Sequence, residues 1–235
     1  MGAEVVKLCE ANYHGAVLTA GVDKFASDAE CVPCASDFSE ASTDVDCIVD
    51  FSHHSLTHEL IDFAKKNNLP VVVATTGQTD EEISEIIEAS KSIPVFFSAN
   101  MSFGIAVLVE LAKKTASAFP DGEIEIIEKH HDRKLDAPSG TAKMLFNEIK
   151  EVRPSAVAKN GRDGQAKRAP EEIGIHALRI GNVVGVHEVI VATQSQTITL
   201  CHEAHSRALF AEGALVAAEF LCGKPKGLYN MKNLI

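Results

Sequence analysis

Residues 47–97 carry three short apolar runs: Cys47-Ile48-Val49-Asp50-Phe51, Leu69-Pro70-Val71-Val72-Val73-Ala74 and Ile93-Pro94-Val95-Phe96-Phe97. Between them lie two stretches of helical periodicity, Leu56 to Asn67 and Asp80 to Ser90, the second opening on acids suited to a helix N-terminus. This alternation constrains the fold more than any other feature. A strand without a polar face must be covered on both sides, and helices between such strands supply the cover. The pattern predicts an α/β fold built on a parallel sheet. A further strand is expected over Ala16-Val17-Leu18-Thr19-Ala20-Gly21-Val22, ending near Asp23.

The pattern changes after a helix expected from Phe103 to about Ala118. From Glu123 to about His205 the chain is rich in strands. Ile173 to Arg179 and Val183 to Val191 read as a hairpin turning at Gly181-Asn182. Gln196 to His202 reads as another strand, Gly161–Pro170 as a mobile loop, and Ala208–Leu221 as a closing helix. The change of style predicts a second domain, of α+β type.

The densest chemistry lies where the strand-like run Glu123-Ile124-Glu125-Ile126-Ile127-Glu128 gives way to a loop and then a helix. The loop carries His130, His131 and Lys134 and ends in Pro138-Ser139-Gly140-Thr141. Ser139 is a good N-cap, Gly140 lets another group approach the main chain, and N–H groups at a helix start attract an anion. Lys134 adds a positive charge, and histidine titrates near neutrality. Each part has a plainer reading. Pro-Ser-Gly-Thr can be a simple helix start, and neighbouring histidines on extended chain point to opposite faces. Their combination favours an anionic substrate and a proton transfer.

The string Glu-x-His-His-x-x-Lys-x-Asp-x-Pro-Ser-Gly-Thr-Ala, complete at residues 128–142, resembles the catalytic segment of the 4-hydroxy-tetrahydrodipicolinate (dihydrodipicolinate) reductase family. The resemblance extends over essentially the whole chain. It implies a Rossmann-like nucleotide domain at residues 1–100 and 207–235. A mixed-sheet domain at residues 101–206 would bind substrate and form the oligomer. It implies NADH or NADPH as cofactor, a small dicarboxylate substrate of lysine and diaminopimelate biosynthesis, and a homotetramer. His130 matches the proton donor and Lys134 a second donor; His131, Gly140 and Thr141 match substrate-binding positions.

Asp23 ends a strand where an acid can accept bonds from the adenosine ribose, and Lys24 beside it could attract a 2′-phosphate. Ala74-Thr75-Thr76-Gly77 matches the family's Gly-Thr-Thr-Gly with one departure, at Ala74. Ser98-Ala99-Asn100-Met101 resembles its second nicotinamide-side loop. Arg207 and Phe210 match residues returning towards the cleft. Val186 stands where the family often has Glu.

Met1-Gly2 resembles the end of the family's Gly-x-x-Gly-Arg-Met-Gly loop, so the first strand of the nucleotide domain is expected to be missing. In the order 3-2-1-4-5-6 that strand is central, and its neighbours would each lose a partner. Buried groups left without hydrogen bonds cost roughly 1–3 kcal/mol each. Poor folding or weak nucleotide binding is the expectation.

A net charge of −11 argues against general nucleic-acid binding. No apolar run reaches the roughly 18 residues of a membrane span. No secretory leader is evident, and the six cysteines read as reduced thiols, so a cytoplasmic protein is expected. Cys31-Val32-Pro33-Cys34 has no second CxxC to pair with and reads as a connection. His53, His54 and His58 invite a metal, but the resemblance puts their loop at the nucleotide cleft, and no metal is expected. Two other readings compete: a non-catalytic dicarboxylate-binding paralogue and a metal-dependent hydrolase.

Overall fold

A computed structural model describes residues 1–24 and 33–235, so Cys31 of the CxxC lies outside the described residues. The chain forms two compact units, Met1–Phe103 with Ala208–Ile235, and Gly104–Arg207.

The first unit opens with helix α1 (Gly2–Glu10). Strand β1 (Gly21–Val22) pairs in parallel with β2 (Cys34–Ala35). Next come β3 (Ile48–Asp50), α2 (Thr57–Asn67), β4 (Val71–Val73), α3 (Asp80–Ala89) and β5 (Pro94–Phe97). A reciprocal capping box starts α3: the Thr79 hydroxyl accepts from Glu82 N–H while the Glu82 carboxylate accepts from Thr79 N–H. Leu60, Ile61 and Ala64 of α2, with Ile86 and Ala89 of α3, pack on Val71, Val73 and Val95 of the sheet.

The second unit holds α4 (Phe103–Ala118, beginning at the unit boundary), β6 (Glu123–His130), α5 (Gly140–Val152), β7 (Val157–Asn160), β8 (Glu172–Arg179), β9 (Gly185–Ala192) and β10 (Thr197–Ala204). The chain then returns to the first unit with α6 (Ala208–Leu221) and β11 (Gly227–Tyr229). β11 extends the parallel sheet, giving the order β11-β5-β4-β3.

The expected strand over residues 16–22 is regular only at Gly21–Val22. A strand persists only where a neighbour supplies hydrogen bonds, and here those come from Pro33 and Ala35. The β1–β2 pair is separate from the four-stranded sheet, so β1 and β3 each have one strand neighbour among the described residues.

The second unit is a mixed five-stranded sheet, ordered β10-β9-β6-β8-β7. Here the expected hairpin is corrected. β8 and β9 do not pair with each other; β6 lies between them, parallel to β8 and antiparallel to β9. The Gly181-Asn182 turn instead crosses the end of β6. Ile180 N–H donates to His130 O, His131 N–H to Val183 O and Asp132 N–H to Gly181 O, at 2.9, 2.8 and 3.2 Å. Residues 161–170 form a loop without helix or strand, tied down by arginine contacts. Arg168 ion-pairs with Glu125 and donates to Ile124 O, and Arg162 meets Glu172 at 2.7 Å. β7 and β11, both short, were not expected.

Apolar residues of α4 (Ile105, Leu108, Val109) and α5 (Leu145, Ile149) cover one face of this sheet, over Ile124, Ile126, Ile175 and Val189. The other face, with Ile127, Lys129, Ile190 and Leu178, is half-buried to exposed.

Candidate active site

Along β6 the core-facing positions are Ile124, Ile126, Glu128 and His130, because side chains of a strand alternate. The face therefore passes from apolar core to titratable groups within one strand. Glu128 is fully buried. Its carboxylate accepts from both prongs of Arg179 at 2.8 Å, from Ser139 N–H at 3.0 Å, and bonds His130 Nδ1 at 2.5 Å. Burial alone would raise this carboxyl, but the bonds from Arg179, His130 and Ser139 hold it below the usual carboxylate range.

Ser139 is the N-cap of α5. Its hydroxyl accepts from Ala142 N–H at 3.2 Å and lies 3.1 Å from His187 Nε2. His187 is buried, and burial first, then the neighbouring His130, pushes its pKa down to about 4. The His130 and His187 rings meet edge to face, 5.2 Å apart. A Cβ added to Gly140 would meet nothing within 4 Å, so the main chain at the start of α5 is open to a ligand. Thr141 follows it, half-buried.

Lys134 pairs with Asp136 at 2.7 Å and holds that carboxyl below its ordinary range. Arg179 also donates to Asp136 O, at 2.5 Å, tying strand and loop together. His131 Nδ1 is buried with no hydrogen-bond partner, a polar atom that a ligand could satisfy. Thus His130, His131, Lys134, Gly140 and Thr141 share one strand end, one loop and one helix start. Sequence reasoning gave no role to Glu128, Ser139's link to His187, or Arg179. The period of two along β6 was the available signal for Glu128.

In the other unit the expected residues lie at the carboxyl ends of the strands. Thr75, after β4, is buried, and its Oγ1 has no hydrogen-bond partner. Ala74 N–H donates to Asp50 O. Thr76 is exposed, and Gly77 takes a φ of 90°. After β5, Ser98 Oγ donates to Asn100 O at 2.8 Å, and Asn100 Oδ1 accepts from Ser102 N–H at 2.9 Å. Ala99 is exposed and Met101 buried. Asp23 and Lys24 are exposed beyond β1, while Met1 and Gly2 form the start of α1. A partnerless buried hydroxyl, a left-handed glycine and an open helix start, all at strand or helix ends, fit a dinucleotide.

Of the histidines near α2, His53 bonds Ser55, while His54 and His58 are engaged by acids. His54 Nδ1 lies 3.0 Å from Glu82, and His58 bonds Glu85 through Nδ1 at 2.8 Å and Asp62 through Nε2 at 3.4 Å. His58, Asp62 and Glu85 form a surface cluster in which Glu85 is half-buried. One ligand atom from each of the three lies within 4.8 Å of those of the other two.

A parallel nucleotide-type sheet in one unit, with an imidazole–lysine loop at a helix start in the other, defines a pyridine-nucleotide oxidoreductase. Residues 1–101 match the family model for the N-terminus of dihydrodipicolinate reductase, and residues 104–235 that for its C-terminus. The chain belongs to the dihydrodipicolinate reductase family. It is 45% identical to the 4-hydroxy-tetrahydrodipicolinate reductase of Clostridium novyi over 226 residues, 95% of this chain and 90% of that one. It is 46% identical to the enzyme of the same name from Caldanaerobacter subterraneus, over 100% of this chain and 94% of the relative. The solved dipicolinate-bound dihydrodipicolinate reductase from Paenisporosarcina sp. TG-14 superimposes with a TM-score of 0.81 at 26% identity, covering 100% and 95% of the two chains. The chain is accordingly an oxidoreductase of lysine and diaminopimelate biosynthesis.

Proposed function

We propose that this protein reduces 4-hydroxy-tetrahydrodipicolinate to tetrahydrodipicolinate, with loss of water, using NADH or NADPH. The observation that carries the reading is His130 anchored to a buried carboxylate beside the open start of α5, with Lys134 on the same loop. Such a group suits protonation of a dicarboxylate held at a helix start.

Bound nicotinamide supplies the hydride. The Gly140 and Thr141 N–H groups hold one substrate carboxylate, and His131 offers Nδ1 to the substrate. Lys134 pairs with the carboxylate region and assists departure of the hydroxyl as water. His130 delivers its proton to the enamine carbon left after hydride addition, and solvent reprotonates the ring.

In the nucleotide unit, the main chain at Met1 and Gly2, where α1 starts, would hold the cofactor's pyrophosphate. Asp23 accepts from the adenosine ribose, and Lys24 tolerates a 2′-phosphate, which makes both cofactors acceptable. Ala74, Thr75 and Thr76, with Ser98, Ala99, Asn100 and Met101, would hold the nicotinamide end of the cofactor. The half-exposed face of the five-stranded sheet supports assembly into a homotetramer. A cytoplasmic location suits the biosynthetic role.

The test is NADH and NADPH consumption with freshly made substrate. His130→Gln should lower kcat by about 10²–10⁴-fold, the range for loss of a general acid. Full activity in that variant would remove His130 from the chemistry.

A further inference from the structure

Glu128 occupies a core-facing position of β6 where Ile124 and Ile126 precede it, and it is as buried as they are. An ionised carboxylate there needs a reason, since apolar packing alone would favour another Ile. Each of its oxygens meets two partners. Oε2 meets Arg179 Nη1 and His130 Nδ1; Oε1 meets Arg179 Nη2 and Ser139 N–H. One carboxylate therefore touches both the acid–base strand end and the first turn of α5.

We propose that Glu128 is a positioning residue that fixes the His130 ring through Nδ1, so that Nε2 works on the substrate, while fixing the α5 start through Ser139. The proposal rests on the reductase reading above for its substrate. Its physical basis is simple. A carboxylate can only accept, so the nitrogen bonded to it must carry the proton. That leaves Nε2 as the nitrogen that gives and regains a proton. The space around Nε2 fits this role. A Cβ added to Gly185 would lie 3.2 Å from Nε2, so a glycine there keeps that edge of the ring clear. The His187 ring bears on His130 from another side. Arg179, with both prongs on Glu128, stops the carboxylate from turning.

The test combines nitrogen-15 NMR of the imidazoles in the unaltered chain with kinetics of Glu128→Gln. His130→Gln assigns the signals. In the unaltered chain, at a pH where the ring is neutral, His130 should carry its proton on Nδ1. In Glu128→Gln the amide N–H competes for the same space, and the ring should shift towards the Nε2–H form. Its kcat should fall about 10–100-fold, with KM for the substrate within about 3-fold, as expected when a proton donor is misaligned rather than removed.

A neutral His130 protonated on Nε2 in the unaltered chain would overturn the proposal. So would a Glu128→Gln enzyme with normal kcat, or one altered only in KM, which would reduce Glu128 to shaping the carboxylate cradle. If Glu128→Gln fails to fold, the tautomer in the unaltered chain decides alone. If the unaltered chain consumes no NADH or NADPH, the reductase reading fails, and the tautomer still decides the positioning role.

Discussion

Arg179 closes on Glu128 with both prongs of its guanidinium, Nη1 on Oε2 and Nη2 on Oε1, each at 2.8 Å. The carboxylate has no solvent access. The bond joins β8 to β6 at the end of the strand that bears His130. Removing one partner of such a pair leaves a buried charge without compensation. Arg179→Met should therefore lower unfolding stability by about 3–5 kcal/mol, read from urea denaturation at neutral pH. Arg179→Lys keeps the charge but not the planar fork, and should fall between that variant and the parent. A Met variant with an unchanged midpoint would show that Glu128 is held chiefly by His130 and Ser139.

His187 makes stability depend on pH in a defined window. Burial and the nearby His130 lower its pKa to about 4, from 6.5. The folded form then binds fewer protons than the unfolded form between those values. Stability from this source is complete above about pH 6.5 and declines as the pH falls towards 4, by on the order of 3 kcal/mol. Glu128 acts lower on the scale. Its depressed pKa contributes stability above the ordinary carboxylate range that is lost as the pH falls through its folded value. Unfolding midpoints taken from pH 7 down to 4 should show the His187 slope, and His187→Gln should flatten it. An equally steep slope in that variant would assign the loss to other groups.

The parallel sheet was legible because strands buried on both faces leave a periodicity that helices interrupt. Thr79 and Glu82 at α3 kept to local rules, and the structure follows them. The misread hairpin had local support too, in Gly181-Asn182. What places β6 between β8 and β9 is a set of hydrogen bonds between residues some fifty positions apart, such as His131 to Val183. Turn chemistry carries no record of them. The histidines and Lys134 were visible because their residue types are reactive. Glu128 was harder to see, since its meaning comes from Arg179 and Ser139, which only the folded sheet brings to it. β11 is three residues long and exists as a strand because β5 offers it an edge.

Ser139 does two jobs with one hydroxyl: it caps α5 by accepting from Ala142 N–H, and it meets His187 Nε2. Ser139→Ala should cost about 0.5–2 kcal/mol through the lost cap. The first turn of α5 should also loosen, because Ala142 N–H loses its partner. If that turn holds the substrate carboxylate, KM should rise more than kcat falls. Steady-state kinetics beside a melting curve would separate the two effects. A variant less stable yet unchanged in KM would detach the cap from substrate binding.

Gly213 of α6 lies against the main chain of Met101, and a Cβ there would overlap the Met101 carbonyl oxygen. Backbone cannot yield as a flexible side chain does, so Gly213→Ala must displace either α6 or the Ser98–Met101 loop. Overpacking of this kind typically costs about 1–3 kcal/mol. The loop is internally braced by Ser98 and Asn100, whose bonds to one another and to Ser102 would shift with it. On the proposed role of this loop, Gly213→Ala should weaken NADH and NADPH binding, measured by fluorescence titration, while substrate-side groups such as His130 keep their geometry. Unaltered cofactor affinity together with a lowered melting temperature would leave Gly213 as a packing glycine and remove the Met101 loop from the nucleotide site.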